Sequence, residues 1–513
     1  MLYQFRFLIT TTHESDHIPY IIRDIFERYE LQELHFAITQ GFWHTSLWGL
    51  PPEDETPTGS YFLVLFKADS TKIDEKWNFL VNLLNGIFCT SILQMTPVLS
   101  SAPAITFGNG SSLNWRYGAL GGEPVCTENL KSWKQLLPCK RSGLSTLLNP
   151  KELYGANYHS MSIRVSRSLD KHTDDWRFEL ASNLVKDLNL RTRLMDWSFS
   201  RDLGSSLIAT CPISNSSQVI VETTGKEFTL EPQSNNTFKW KHREFTVYNT
   251  NEYTGKQSFN LRANYLASKL ELGHYFPSLF SLHTYLQSVD QQGGKIATRI
   301  HNLDETPRNA LFTHMIPWYL RIYLHTLAFV CNGARQEILN QRFSLAIDRQ
   351  KPILIEFEII LPPNSICEIT YDYETAFLRL TEYPPDSNSG LFVPGPMLKL
   401  YLDEDTYAKN ATVFGSFRLS TSERMQKNVT TSERVVTLHG EPLLILLPVP
   451  DFSMPFNVIC FVCTAIALFY GPAHALTTKI MTPITDESLA TESGLIRRLI
   501  ASIRLKLKAN LLG

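Results

Sequence analysis

The chain has 513 residues, with 48 Lys and Arg against 50 Asp and Glu. The resulting net charge of −2 argues against a nucleic-acid role, which needs a basic surface. Hydrophobic residues make up 43%, charged residues 19% and aromatics 12%, which excludes a disordered chain and leaves ample material for packed cores. Roughly 450 residues before a C-terminal apolar run exceed one ordinary core and predict two or three subdomains.

Met1 to Ile9 alternates like a strand, because Gln4 and Arg6 interrupt any continuous apolar stretch of the kind a signal peptide needs. The expectation is that a leader lies upstream of this sequence. His17 to Leu31 carries apolar residues at helical spacing, Leu2–Thr10, Leu34–Thr39 and Tyr61–Phe66 read as strands, and Asp74 to Phe88 opens with acids and continues as a second amphipathic helix. From about Met161, short β-branched and aromatic runs alternate with Asn, Gly, Ser and Pro clusters. These runs are Ser217–Thr223, Glu244–Tyr248, Tyr319–Phe329, Ile353–Leu361, Glu368–Tyr373 and Leu398–Tyr401. That rhythm predicts antiparallel sheets arranged as sandwiches. The expected fold is mainly β: an α+β part over residues 1–160, a β-sandwich-like region over 161–450, a transmembrane helix over 454–476 and a basic tail over 477–513.

Phe456 to Leu476 contains no Asp, Glu, Lys or Arg. At about 1.5 Å per residue it is long enough to cross a hydrocarbon core of about 30 Å. Glu441 and Asp451 precede it, whereas Lys479, Arg497, Arg498, Arg504, Lys506 and Lys508 outnumber Asp486, Glu487 and Glu492 behind it. The excess of basic residues predicts a cytoplasmic tail and a bulk facing the lumen or the outside. Asn457, Gly471, Pro472 and His474 dilute the run, and the alternative is a buried core helix.

Sequons at Asn109, Asn215, Asn235, Asn410 and Asn428 are glycosylation candidates. Six cysteines precede the span (Cys89, Cys126, Cys139, Cys211, Cys331 and Cys367), a density that suits a few disulfides in an oxidising compartment. Cys460 and Cys463, inside the span, read as small packing residues.

His13-Glu14-Ser15-Asp16-His17 satisfies the H-E-x-x-H pattern, which binds zinc when one helical turn stacks the two imidazoles. Here it straddles a strand-to-helix junction where Ser15 and Asp16 read as N-cap residues, and Glu33 is the only loosely plausible third ligand. A zinc hydrolase working through His13, Glu14 and His17 is therefore a minor alternative. No metal and no cofactor are expected.

A second set of residues is more specific. It comprises Gln40-Gly41-Phe42-Trp43 with Trp48-Gly49, then Val125-Cys126-Thr127-Glu128-Asn129-Leu130, Trp133-Lys134 and Leu136-Leu137-Pro138-Cys139. Pro317-Trp318-Tyr319-Leu320-Arg321, Thr381-Glu382-Tyr383 and Pro450-Asp451-Phe452-Ser453-Met454-Pro455 follow in order. Together they resemble the PIG-T family, the lumenal, single-span subunit of the GPI transamidase of the endoplasmic reticulum. The resemblance covers nearly the whole chain. It implies a non-catalytic scaffold and GPI-recognition subunit, anchored in the endoplasmic reticulum membrane, whose catalytic partner is the caspase-like subunit PIG-K. The rival reading is a membrane-anchored adhesion or receptor ectodomain.

From its own context, Cys126 sits on a polar loop and could bridge to Cys139. The resemblance implies instead a disulfide from Cys126 to the catalytic subunit. Asp451, Ser453 and Asn457 start the apolar span, where they could cap its helix. Asn388 lies in the turn Pro384 to Gly390 and is by itself a turn former. By resemblance, Asn388, Asp451, Ser453 and Asn457 hold the GPI head group.

Overall fold

The structure is a computed structural model. It describes residues 1–12, 17–52, 55–107, 114–123, 125–139, 142–170, 173–186, 196–224, 228–240, 243–253, 258–265, 278–289, 292–383, 390–403, 406–407, 433–447, 453–480, 494, 497–500 and 502. Two compact units are present, Met1–Pro448 and Val449–Gly513.

The first unit begins with a strand β1 (Leu2–Thr12), helix α1 (Tyr20–Arg28), strands β2 (Leu31–Gln40) and β3 (Gly59–Phe66) and helix α2 (Ile73–Phe88). Strands β4 (Ser100–Ser101) and β5 (Trp115–Leu120), helix α3 (Thr127–Gln135), and strands β6 (Tyr158–Asp170) and β7 (Thr173–Val185) follow. The seven strands form one antiparallel sheet in the order β1-β7-β6-β2-β3-β5-β4. Strand β6 crosses residue 160, where the sequence reading divides the chain. It pairs along its whole length with β7 and through Glu33↔Ser166 to Gln40↔His159 with β2. The sheet closes only when residues beyond 160 return to pair with β1, a long-range match that local composition does not record.

Helix α1 starts at Tyr20 behind Pro19, later than the expected His17. A proline before the first turn ends the extended segment there, since its ring fixes φ near the value an entering helix needs. All three helices cover one face of the sheet. Ile22, Ile25 and Phe26 of α1, Trp77, Leu80, Val81 and Leu84 of α2, and Leu130 and Trp133 of α3 share a core with Leu34, Phe36 and Ile38 of β2. Phe62 stacks on Trp77 with ring centroids 4.6 Å apart. A Cβ on Gly118 of β5 would lie 3.1 Å from the Trp77 ring, so the glycine permits that approach.

The opposite face of this sheet meets a β-sandwich. One sandwich sheet has the order β14 (Phe280–Val289), β15 (Gly293–Asn302), β21 (Ser365–Thr375), β17 (Leu320–Cys331) and β18 (Ala334–Arg335). The other has β19 (Gln341–Ser344), β20 (Ile353–Leu361), β16 (Arg308–Ile316), β23 (Met397–Asp403) and β24 (Glu433–His439). Strands β8 to β13 (Trp197–Ser198, Gln218–Glu222, Phe228–Glu231, Thr237–Trp240, Arg243–Asn249 and Arg262–Tyr265) make two small three-stranded sheets. A short pair, β22 (Leu391–Val393) with β25 (Leu443–Ile445), completes the strands. The expectation of antiparallel, sandwich-type architecture is met.

Alternation along β20 directs the packing. Ile353, Ile355, Phe357, Ile359 and Leu361 enter the sandwich core, so Leu354 and Glu356 point the other way. Leu354 and Met315 pack on Ala37, Tyr61, Leu63, Tyr117 and Ala119 of the first sheet. Residues 34–39 of β2 are thereby buried on both faces. Beside this contact, the Glu356 carboxylate, 1% exposed, accepts from the N–H groups of Ala104 (3.0 Å), Ile105 (3.2 Å) and Thr106 (2.9 Å) and from the Thr106 hydroxyl (2.5 Å). Successive backbone amides wrapped around one carboxylate form an anion nest, here filled from within the chain. Lys399 donates to the Thr106 carbonyl at 2.6 Å and stands 4.2 Å above the Phe107 ring.

Two disulfides close the unit. Cys331–Cys367 joins register neighbours on β17 and β21, and Cys139–Cys211 links residues 72 apart in sequence. Loop closure of that length restricts the unfolded chain by about 4 kcal/mol in the entropy account.

In the second unit, helix α4 (Ser453–Thr478) contains the expected span, with Pro472 inside it and a 23-residue apolar stretch from Phe456 to Thr478 that is unburied. An all-round apolar, unburied helix is what a bilayer requires.

Several imidazoles in the first unit are buried uncharged. His314 fills the sandwich core, its Nε2–H donating to the Pro394 carbonyl at 2.9 Å while Nδ1 faces the Tyr371 hydroxyl across the two sheets. Burial pulls His159 and His314 down to about 4 and His439 to about 3. The unfolded chain binds protons at these sites below about pH 6.5, the folded chain only near pH 3–4. Stability is therefore full above pH 6.5 and falls as pH drops through that window, levelling off below the folded values. Chemical denaturation should show a loss of about 1.5 kcal/mol per imidazole between pH 6.5 and pH 5. A midpoint unchanged between these two pH values would contradict the uncharged, buried state.

Candidate functional site

Cys126 begins helix α3 as its N-cap residue, in extended conformation. Its backbone N–H donates to Asn129 Oδ1 at 2.6 Å, and the Asn129 amide turns its Nδ2 to the carbonyls of Phe88 (2.6 Å) and Cys89 (3.1 Å) at the end of α2. One buried asparagine thus fixes the start of one helix to the end of another. On the other side, the Tyr154 hydroxyl donates to the Cys126 carbonyl at 2.5 Å. Burial and the neighbouring Cys126 push Tyr154 up to about 12, so it remains a neutral donor. Further along the helix, Trp133 donates its indole N–H to the Ser162 carbonyl at 3.1 Å and Lys134 reaches the Leu148 carbonyl at 2.9 Å.

The thiol held by this frame is half-buried and not in a disulfide. Cys139, the alternative intramolecular partner, is taken: it bonds Cys211. The Cys126–Cys139 bridge is accordingly not formed: the segment carrying Cys211 returns beside residue 143, where the Gly143 N–H donates to the Ala209 carbonyl at 2.7 Å, and takes Cys139. The exposed Glu128 carboxyl is held below its usual range by its own backbone N–H, the Cys126 thiol and the Thr127 hydroxyl. A second free thiol, Cys89, lies exposed at the left-handed C-cap of α2, φ 52°.

The proposed lipid contacts divide. Asn388 and Asp451 lie outside the described residues. Ser453 opens helix α4, and Asn457 lies one turn further along it, exposed, with Pro455 between them in the first turn. Among the sequons, Asn215 and Asn235 sit on exposed loops, while Asn109, Asn410 and Asn428 lie outside the described residues. Cys460 and Cys463 are exposed on α4 without a bridge.

Of the H-E-x-x-H pattern, His13, Glu14, Ser15 and Asp16 lie outside the described residues. His17 is an exposed turn residue ahead of α1, so the helix that would stack it on His13 has not begun there. Glu33 belongs to β2.

Sequence reasoning passed over a cleft of about 490 Å³ between the first sheet and the sandwich sheet carrying β23 and β24. His35, Arg164, Lys399 and His439 line it with Trp115 and Phe107. The available signal was polar residues in apolar strands: Glu356 interrupts ILIEFEIIL, and His35 interrupts LHFAI. Such residues on a buried strand ask for a partner.

The family model described as "Gpi16 subunit, GPI transamidase component" matches residues 1–194 and 187–504. The chain is 32% identical to the GPI-anchor transamidase component PIGT of Mus musculus over 95% of this chain and 86% of that protein. The same identity holds against the Homo sapiens protein of that name, over 94% and 87%. Against the GPI transamidase component GPI16 of Saccharomyces cerevisiae the identity is 24%, over 96% and 86%.

Proposed function

The chain belongs to the Gpi16 family of GPI transamidase components, and from that premise we propose that it serves as the non-catalytic scaffold and GPI-recognition subunit of the complex. In this reading it sits in the endoplasmic reticulum membrane as a single-pass type I protein, held by α4, with its bulk in the lumen. Cys126 bonds the caspase-like catalytic subunit PIG-K, which carries the chemistry. Asn388, Asp451, Ser453 and Asn457 receive the GPI head group at the membrane surface.

The observation that carries this reading is the state of Cys126: a half-exposed free thiol on a helix start pinned by Asn129 and Tyr154, with the alternative partner Cys139 already committed to Cys211. A rigid mount suits an intersubunit bond, since little ordering entropy is lost when it forms. Cys126→Ser should remove a high-mass band on non-reducing gels and leave both chains intact, with partial activity kept by the noncovalent interface. An unchanged band would overturn the assignment. A chain that purifies without transamidase subunits and reaches the cell surface would favour the receptor reading instead.

The membrane-entry group is tested separately. Neutral Asn457 suits sugar hydroxyls, and Asp451 can accept from an ethanolamine ammonium. Losing one such hydrogen bond costs about 0.5–1.5 kcal/mol, so Asn457→Ala or Asp451→Ala should slow GPI transfer about 2- to 12-fold with the complex intact. Normal levels of GPI-anchored protein in both variants, or loss of activity only through dissociation of the complex, would reduce these residues to helix capping.

A further inference from the structure

The cleft between the two layers is built from residues far apart in sequence. His35 of β2 and Arg164 of β6 are register neighbours on the sheet face turned to the sandwich, and Lys399 of β23 comes from the opposite wall. The His35 side chain is 9% exposed, and its Nε2 has no hydrogen-bond partner. Burial, then the charge of Arg164, holds that imidazole neutral, so Nε2 is free to carry the ring's single N–H.

Arg164 is half-buried, and among the described residues its guanidinium meets no acceptor within hydrogen-bond distance. Of the neighbouring acids, Glu179 lies in the shared field of Arg6 at 3.0 Å, Arg164 and Arg177 at 3.3 Å, and Glu55, on the cleft wall, stands 3.4 Å from His439. Glu33 is exposed at the rim. Lys399 spends one donor on the Thr106 carbonyl. A guanidinium, an ammonium and an imidazole N–H around one cleft are the donors an oxyanion takes, the guanidinium in two-pronged fashion.

The rest of the wall speaks for a ring-sized body on that anion. Half-buried Phe107 and Trp115 stand with centroids 5.8 Å apart and planes 37° inclined. Aromatic faces beside a few fixed polar groups, in about 300–1,000 Å³, make up the usual small-ligand site. We propose that this cleft binds a sugar phosphate, with the phosphate held by Arg164, Lys399 and His35 and the ring against Trp115 and Phe107. This site is separate from the membrane-entry group and stands whether or not the recognition role proposed above is correct.

The test uses the full chain purified in its complex, titrated calorimetrically with mannose 6-phosphate, inorganic phosphate and mannose. Saturable binding of mannose 6-phosphate, at least tenfold tighter than either fragment, is expected. Arg164→Ala should weaken it about 10- to 100-fold, Arg164→Lys less, and Trp115→Leu should weaken the ester more than inorganic phosphate. Both arginine variants must keep the wild-type melting temperature, and Lys399→Met provides an independent loss of the anion contact should Arg164→Ala misfold. A parallel titration with detergent micelles carrying a phosphorylated glycolipid reads the source: competition with mannose 6-phosphate assigns the site to a lipid-borne glycan, and no competition to a soluble ester. Mannose binding as well as its phosphate, equal affinity for inorganic phosphate, unchanged affinity in Arg164→Ala and Lys399→Met, or no saturable binding of the ester would each overturn the proposal.

Discussion

Three consecutive backbone amides, at Ala104, Ile105 and Thr106, close on the carboxylate of Glu356, and the arrangement of the large unit depends on that closure. Strand β20 must send Glu356 away from the sandwich core because its neighbours Ile355 and Phe357 go into it. A carboxylate on a buried face needs donors, and the segment after β4 supplies them. The segment belongs to the edge of the seven-stranded sheet, so satisfying one charge locks that sheet against the sandwich. Removing the carboxylate would leave several buried amides unpaired, each at about 1–3 kcal/mol. Lys399 and Thr313 reinforce the same loop through the Thr106 carbonyl and hydroxyl.

The docking explains why β2 is buried on both faces although its sheet is antiparallel. Phe36 and Ile38 face the helices, while His35 and Ala37 face the sandwich. Where Leu354 and Met315 fill the gap the layers touch, and where Arg164 and Lys399 stand across from each other they part into a cleft. One carboxylate–amide closure therefore sets both the dry contact and the open site beside it.

Much of this was legible in the sequence, strand by strand. Ile353–Leu361 has the observed bounds of β20, and Leu2 to Thr10, Tyr61–Phe66 and Asp74 to Phe88 fall within or on the ends of their elements, since periodicity reports local burial directly. Pairing is different. The return of β7 to β1 matches Leu2 with Val185, and nothing local at residue 160 marks it. Disulfide partners were equally hidden: Cys139 finds Cys211 across 72 residues, although Cys126 is much nearer in sequence. The cleft was invisible because its walls come from β2, β6 and β23, and only the isolated polar residues His35 and Glu356 hinted that buried strands carried something besides packing. The apolar span was the easiest element, being specified by composition alone.

Family membership accounts for the chain as a transamidase component, and the proposed attachment to the complex rests on the mount of Cys126. Asn129 and Tyr154 hold the residue from two sides, and the committed Cys139–Cys211 bridge steadies the end of the same segment. Peptide-level disulfide mapping of the native complex, digested without reduction, tests this most directly. The account predicts intrachain peptides joining Cys139 to Cys211 and Cys331 to Cys367, and a Cys126 peptide cross-linked to a peptide of the catalytic subunit. Recovery of Cys126 as a free thiol, or joined to Cys89 or another cysteine of this chain, would contradict it.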